Sequence, residues 1–193
     1  MDVRGLLLCG GASVRFGRDK LLERMGEPAE PMAVASARPL VRAVKRVLAV
    51  TRTGSHELRA ALEAAGCEVM ETDRSLDGLG ASLAAGIEAS ADADGWLVAL
   101  ADMPFIRDDT ILAIRAAIEA GATIAAPVHH ASGKRGHPVG FSAALRDELV
   151  TLEGDEGARS IVLRHSDAVR LVIVDDAGIV RDIDRPEDLA DPA

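Results

Sequence analysis

The chain has 193 residues, 48% hydrophobic and 27% charged, which suits one substantial domain and leaves too little for two ordinary ones. That apolar content argues against a disordered chain, and no apolar run approaches the roughly 18 residues of a membrane span. With 22 Lys and Arg against 31 Asp and Glu (net charge −9), three Phe, one Trp and no Tyr, it lacks the basic surface and stacking platforms of a general nucleic-acid binder.

The N-terminal stretch MDVRGLLLCGG runs into an Arg/Lys loop rather than a cleavage site, so no signal peptide and a cytoplasmic location are expected. Cys9 and Cys67 stand alone, without CxxC spacing, and read as small buried hydrophobes.

Val3–Cys9 reads as a strand and Gly10–Asp19 as a glycine-bearing loop. Gly26–Pro31 looks irregular, and Met32–Ala37 reads as a short helix stopped near Pro39. Arg46–Thr51 is a second strand, Ser55 caps a helix through Ala65 that Gly66 ends, and Cys67–Met70 is a short strand. A loop over Glu71–Gly80 leads to an Ala-rich helix at Ala81–Ser90. The continuous apolar run Gly95–Leu100 suits a central strand buried on both faces.

Asp108–Gly121 has a helical apolar stripe, and Thr123–Ala126 and Pro138–Phe141 read as strands around a polar loop. Helices are expected at Ser142–Leu152 and Ala158–His165, a strand at Val169–Val174, a last short strand at Ile179–Ile183 and a helical turn at Pro186–Leu189. This alternation implies a single α/β domain over residues 1–193, a three-layer α/β/α Rossmann-like unit with a mostly parallel sheet.

Three segments carry chemistry. The loop after the first strand passes through Gly10 and Gly11, which admit a ligand close to the backbone, and then presents Arg15, Arg18 and Lys20. Arg15 and Lys20 suit a triphosphate, the one as a fork and the other as a point charge. Neither a Walker A loop nor a dinucleotide GxGxxG fits this spacing. Asp102 closes the most buried strand, at the sheet edge where ligands sit; it serves either as a helix cap or as a hard-oxygen ligand for Mg²⁺. Asp182 and Asp184 are two residues apart and share a face if that segment is extended.

The run LCGGASVRFGRDK resembles the phosphate loop of the MobA-like nucleotidyltransferase superfamily, which includes molybdenum cofactor cytidylyltransferases and guanylyltransferases. LADMP around Asp102 resembles its metal motif, and DIDRPEDL its closing motif, with Arg185 in place of Thr. Gly78–Ile87, Gly136–Phe141 and Gly154–Arg159 resemble three further segments of the cytidylyltransferase branch. The resemblance spans nearly the whole chain and implies a Rossmann-like nucleotidyltransferase domain.

It further implies nucleotide contacts at Leu8, Gly10, Gly11, Ala12, Arg15, Lys20, Asp73, Gly80 and Ser82, with Arg15, Lys20 and Asp102 catalytic. Acceptor-side residues would be His137, Asp155 and Arg159. Asp102 would bind Mg²⁺ together with Asp184 or Asp182. The expected reaction moves a nucleoside monophosphate from CTP to the terminal phosphate of molybdopterin, releasing pyrophosphate. The Gly10–Gly11 pair is more typical of the guanylyltransferase branch, so GTP is the alternative donor. A different class of reading is a non-catalytic module that carries the cofactor to a molybdoenzyme or chaperone partner.

Overall fold

Six consecutive buried residues, Val3–Leu8, form β1 near the middle of a seven-stranded sheet. The computed structural model describes residues 1–10, 19–185 and 188. On one side of β1 lie β4 (Val47–Thr51) and then β5 (Glu68–Glu71), all parallel. On the other lies β6 (Gly95–Leu100), also parallel to β1. Beyond it come β8 (Val139–Ser142), antiparallel to both neighbours, then β7 (Ile124–His129), and at the edge β9 (Val169–Val174), parallel to β7. A two-stranded ribbon, β2 (Arg24–Met25) and β3 (Glu30–Pro31), lies apart. The expected α/β fold with a mostly parallel sheet is the fold observed.

Alternate residues of the central strands feed opposite layers, because strand side chains alternate in direction. Leu7, Ala49 and Leu97 pack with Met32 and Leu40 of α1 (Met32–Ala43), Leu58 and Leu62 of α2 (His56–Ala64), and Ile111 and Ile114 of α4 (Asp108–Glu119). Leu6, Val50 and Val98 pack with Leu83 and Ile87 of α3 (Leu79–Ala89), Leu149 of α5 (Arg146–Leu149) and Ile161 of α6 (Arg159–Arg164). Trp96 is wholly buried in that second layer; its Nε1–H donates to Ser90 Oγ at 2.9 Å, and Ser90 in turn donates to the Gly86 carbonyl at 2.6 Å. The indole is thus accommodated without an orphaned donor.

Three expectations need correction. Pro39 lies inside α1 and does not stop it. An interior proline costs about 3 kcal/mol. Burying Leu40 alone returns about 1.5–3 kcal/mol, and Pro39 and Ala43 are buried with it. Ser142–Leu152 is not one helix: the Ser142 and Ala143 amides bond to the Thr123 and Asp94 carbonyls, which holds the chain to the sheet until a 3₁₀ turn at Ala143–Leu145 and the short α5.

Ile179–Ile183 is not a strand. Its start forms a 3₁₀ turn, Ala177–Val180, and its backbone bonds go to loops: the Ile179 carbonyl accepts from the His137 amide, and the Ile183 amide donates to the Asp102 carbonyl. The segment crosses the ends of the strands instead of joining the sheet. The turn expected at Pro186–Leu189 lies outside the described residues, apart from Asp188.

Candidate active site

The strand order reverses between β1 and β6, and in such sheets the crevice for ligands opens at the carboxyl ends of the two strands. Here Gly10 leaves β1 and Asp102 follows β6, and the Ala101 amide donates to the Leu8 carbonyl across the gap. Lys20 returns to this point on a 3₁₀ turn, Lys20–Leu22, which Asp19 caps by accepting from the Leu21 amide.

The Lys20 ammonium donates to Asp102 Oδ2 at 2.9 Å, to the Ile183 carbonyl at 2.8 Å and to Asp184 Oδ1 at 3.3 Å. Three segments remote in sequence therefore converge on one positive charge. The Lys20 side chain is 13% exposed. Burial pulls its pKa down, but the hydrogen bonds and charges of Asp102 and Asp184 outweigh it and hold the group above the ordinary lysine value. A raised lysine pKa contributes stability at every pH below the lysine range and loses it only as pH rises through the folded value.

The carboxylate Asp184 reaches this point because an upstream aspartate anchors its segment. Asp176 is 3% exposed. One oxygen accepts from the Arg107 amide at 2.9 Å and the Thr110 hydroxyl at 2.6 Å, capping the start of α4; the other accepts from the Gly178 amide at 2.9 Å. Asp176 thus does the capping that the sequence left open for Asp102, and Asp102 is left facing the crevice. Gly178 and Gly136 permit the crossing, since a Cβ at either would overlap the Phe105 or the Ile179 carbonyl.

Three adjoining cavities run along this edge. The polar one, about 560 Å³, is lined by Leu8, Gly10, Lys20, Arg52, Ser75, Leu76, Gly78, Asp102, Asp155 and Asp184, among others. An apolar one of about 390 Å³ shares Leu8, Leu79 and Leu100 with it and adds Val98, Val139, Phe141, Arg135, His137 and Arg159. The third, about 550 Å³, shares Arg135, Gly136 and His137 with the second and includes Asp182.

The structure therefore brings Leu8, Gly10, Lys20, Asp102, Asp155 and Asp184 into one cavity, and His137 and Arg159 into the next. Asp182 is exposed and faces the third cavity, apart from Lys20. Asp73 is exposed on the 3₁₀ turn Asp73–Leu76, whose Ser75 and Leu76 line the polar cavity while Asp73 does not. Gly11, Ala12 and Arg15 lie outside the described residues.

Ser82 is wholly buried, its hydroxyl donating to the Gly78 carbonyl at 3.1 Å and forming the floor beneath Gly10, where an added Cβ would stand 3.0 Å from it. The Gly80 amide is taken by the Gly154 carbonyl at 2.7 Å. A Cβ on Gly80 would stand 2.6 Å from the Glu153 carbonyl, and one on Gly78 (φ +114°) would stand 2.5 Å from Asp155 Oδ1. The paired glycines thus let the Glu153–Asp155 backbone lie against the start of α3, which is what carries Asp155 into the cavity.

His137 Nδ1 is buried without a hydrogen-bond partner among the described residues. Burial lowers the pKa of the ring, outweighing the Val98 backbone and the Asp102 and Asp182 charges, so the imidazole is neutral near pH 7. Sequence reasoning missed Arg52, a lone arginine with no motif around it. Its only signal was position, one residue beyond a strand end on the ligand side of the sheet.

Residues 5–169 match the model of the MobA-like NTP transferase domain, and the chain belongs to that family. Among solved structures it is similar to Rv0371c from Mycobacterium tuberculosis H37Rv, with 26% identity, a TM-score of 0.81 and coverage of 97% of this chain and 96% of that one. A complex of Rv0371c with manganese matches at 24% identity and a TM-score of 0.80, again covering 97% and 96%. A nucleotidyl transferase from Methanothermobacter thermautotroptrophicus shares the fold at 24% identity, with a TM-score of 0.79 and coverage of 96% and 93%. No curated protein matches the chain. No helix among the described residues is long and apolar enough to cross a membrane.

Proposed function

We propose that this MobA-like NTP transferase acts as one domain over residues 1–193 and transfers a nucleoside monophosphate, with CTP the favoured donor, to the terminal phosphate of a molybdopterin-type acceptor. One observation carries the reading: Lys20 sits between Asp102 and Asp184 at the mouth formed by β1 and β6. A phosphate oxygen of the acceptor attacks the α-phosphorus, the bond to the β-phosphate oxygen breaks, and pyrophosphate leaves. The nucleophile comes with the acceptor, so the protein supplies alignment and charge neutralisation.

Asp102 and Asp184 fit a divalent cation such as Mg²⁺. Two hard-oxygen donors already meet at one positive charge, and Mg²⁺ commonly takes one or two carboxylates, with water and phosphate oxygens completing its shell. When bound, the ion supplies charge neutralisation on the phosphate oxygens. The manganese complex of Rv0371c supports a divalent ion in this fold. Lys20 holds the two carboxylates together and offers its charge to the leaving pyrophosphate. Gly10, over the Ser82 floor, lets phosphate approach the backbone; Arg15 serves the same triphosphate. The neighbouring apolar cavity, with neutral His137 and the Arg159 guanidinium, suits an acceptor with a flat body and anionic groups.

The test is pyrophosphate release from CTP and GTP with molybdopterin and Mg²⁺. Release with CTP, weaker release with GTP and none in chelator is the expected result. Preference for GTP would move the chain to the guanylyltransferase branch. Nucleotide binding without any turnover would leave only the carrier-module reading.

A further inference from the structure

Arg52 is half-buried at the wall of the polar cavity, and among the described residues its side chain has no hydrogen bond or ion pair. In a chain of net charge −9, Arg4, Arg38, Arg42, Arg46, Arg59, Arg74, Arg107, Arg115 and Arg164 all pair with carboxylates, whereas Arg52, like Arg135 and Arg159 at the neighbouring apolar cavity, does not pair with one among the described residues. A guanidinium left unpaired amid so much negative charge, and facing a cavity, is available to a ligand.

Its place in the sheet says which part of the ligand. Asp102 follows β6 and Arg52 follows β4, two strands away across β1, a lateral separation of about 10 Å. The apolar cavity lies on the opposite side of β6, toward β8. With the α-phosphorus at Asp102 and the acceptor on the β8 side, the nucleoside extends toward β4 and β5. Leu76 lines the cavity at that end and is 71% exposed, an apolar surface of little use to a phosphate and well suited to the face of a base. The Thr72 amide bonds to the Thr51 carbonyl at 2.9 Å, which ties the loop of Leu76 to that of Arg52.

We infer that Arg52 reads the nucleobase and selects bases that present a carbonyl oxygen beside a ring-nitrogen acceptor. A guanidinium is a fork of donors with no acceptor. It can bond O2 and N3 of cytosine or O6 and N7 of guanine in pairs, whereas adenine offers no exocyclic oxygen and turns a donor toward it. This inference rests on the nucleotidyltransferase reading and sorts its donors: CTP and GTP, whose bases offer paired acceptors, are retained, UTP, whose N3 carries a proton, binds more weakly, and ATP is rejected.

The experiment is calorimetric binding of CTP, GTP, UTP, ATP and inorganic triphosphate, each with Mg²⁺, to the wild-type chain and to Arg52→Ala and Arg52→Lys. Arg52→Ala is expected to weaken the preferred nucleotide by roughly tenfold or more, while leaving ATP and inorganic triphosphate unchanged. Arg52→Lys, a point donor without the fork, restores only part of the loss. An equal loss for every nucleotide together with triphosphate would make Arg52 a phosphate contact and overturn the inference, as would no loss at all. A wild-type chain that binds triphosphate but discriminates among no bases also overturns it and leaves the transferase reading standing. A wild-type chain that binds none of the five overturns both.

Discussion

Asp102→Asn is expected to cut pyrophosphate release by about 10³-fold or more, with the fold retained and the melting temperature only moderately lowered by the lost charge beside Lys20. The substitution keeps the size of the side chain and an oxygen for Lys20 but removes a negative charge from the junction that fits the divalent ion. Deleting a single neutral donor from a preorganised site costs about 10²–10³-fold, and loss of a charged metal ligand exceeds that. The Asp102 backbone stays fixed, because its carbonyl accepts from the Ile183 amide at 2.9 Å. Steady-state rates across a Mg²⁺ titration check the cause: the variant requires more metal for half-maximal rate. A variant with wild-type turnover would remove Asp102 from the chemistry altogether.

Lys20→Met is expected to lower turnover by roughly 10²–10³-fold and, unlike Asp102→Asn, to resist rescue by added Mg²⁺. Methionine fills a similar volume without the charge, so Asp102 and Asp184 lose the cation that holds them together. Two consequences follow, one on binding and one on architecture. The triphosphate loses a positive partner, raising KM for the nucleotide. The bond from Lys20 to the Ile183 carbonyl is also lost, loosening the C-terminal segment that crosses the sheet. Proteolytic sensitivity of residues beyond Asp176 reads out this loosening independently of activity. Lys20→Arg keeps the charge but not the compact point geometry and is expected to recover only part of the rate. Full activity in Lys20→Met would show that the convergence of the three segments is structural only.

The elements most legible in sequence were those whose environment is uniform along the strand. Gly95–Leu100 is buried along nearly its whole length, so its apolar run matches β6 residue for residue; Val169–Val174 matches β9 as well, although that edge strand mixes half-buried and exposed residues and is legible through its β-branched run. The misread elements were settled by contacts distant in sequence. Pro39 continues a helix because it is buried with Leu40 and Ala43 in the core, and Ile179–Ile183 leaves the sheet because its backbone partners are His137 and Asp102.

The site divides in the same way. Lys20, Asp102 and Asp184 stood in motifs that a reader of the chain can find, and they meet. Asp182 and Asp184 looked equivalent in a short strand. Once the strand is replaced by a crossing segment, Asp184 turns to Lys20 and Asp182 to the third cavity. Gly78 and Gly80 drew attention as part of a nucleotide loop, and the structure gives them a further reason, the close approach of Glu153–Asp155. Arg52 and Asp176 carried no motif, since their roles depend on what the fold sets beside them.

A single mouth between β1 and β6 must bind an NTP together with a divalent ion. Thermal denaturation of the wild-type chain with each NTP and Mg²⁺, repeated in chelator, tests it most directly. A nucleotide at a hundred times its Kd adds about 2.7 kcal/mol, which for a chain of this size raises Tm by roughly 5–10 °C. That rise is expected for the preferred nucleotide with Mg²⁺ and is expected to vanish when the ion is removed. An unchanged Tm with every nucleotide, or a rise indifferent to chelator, would contradict it.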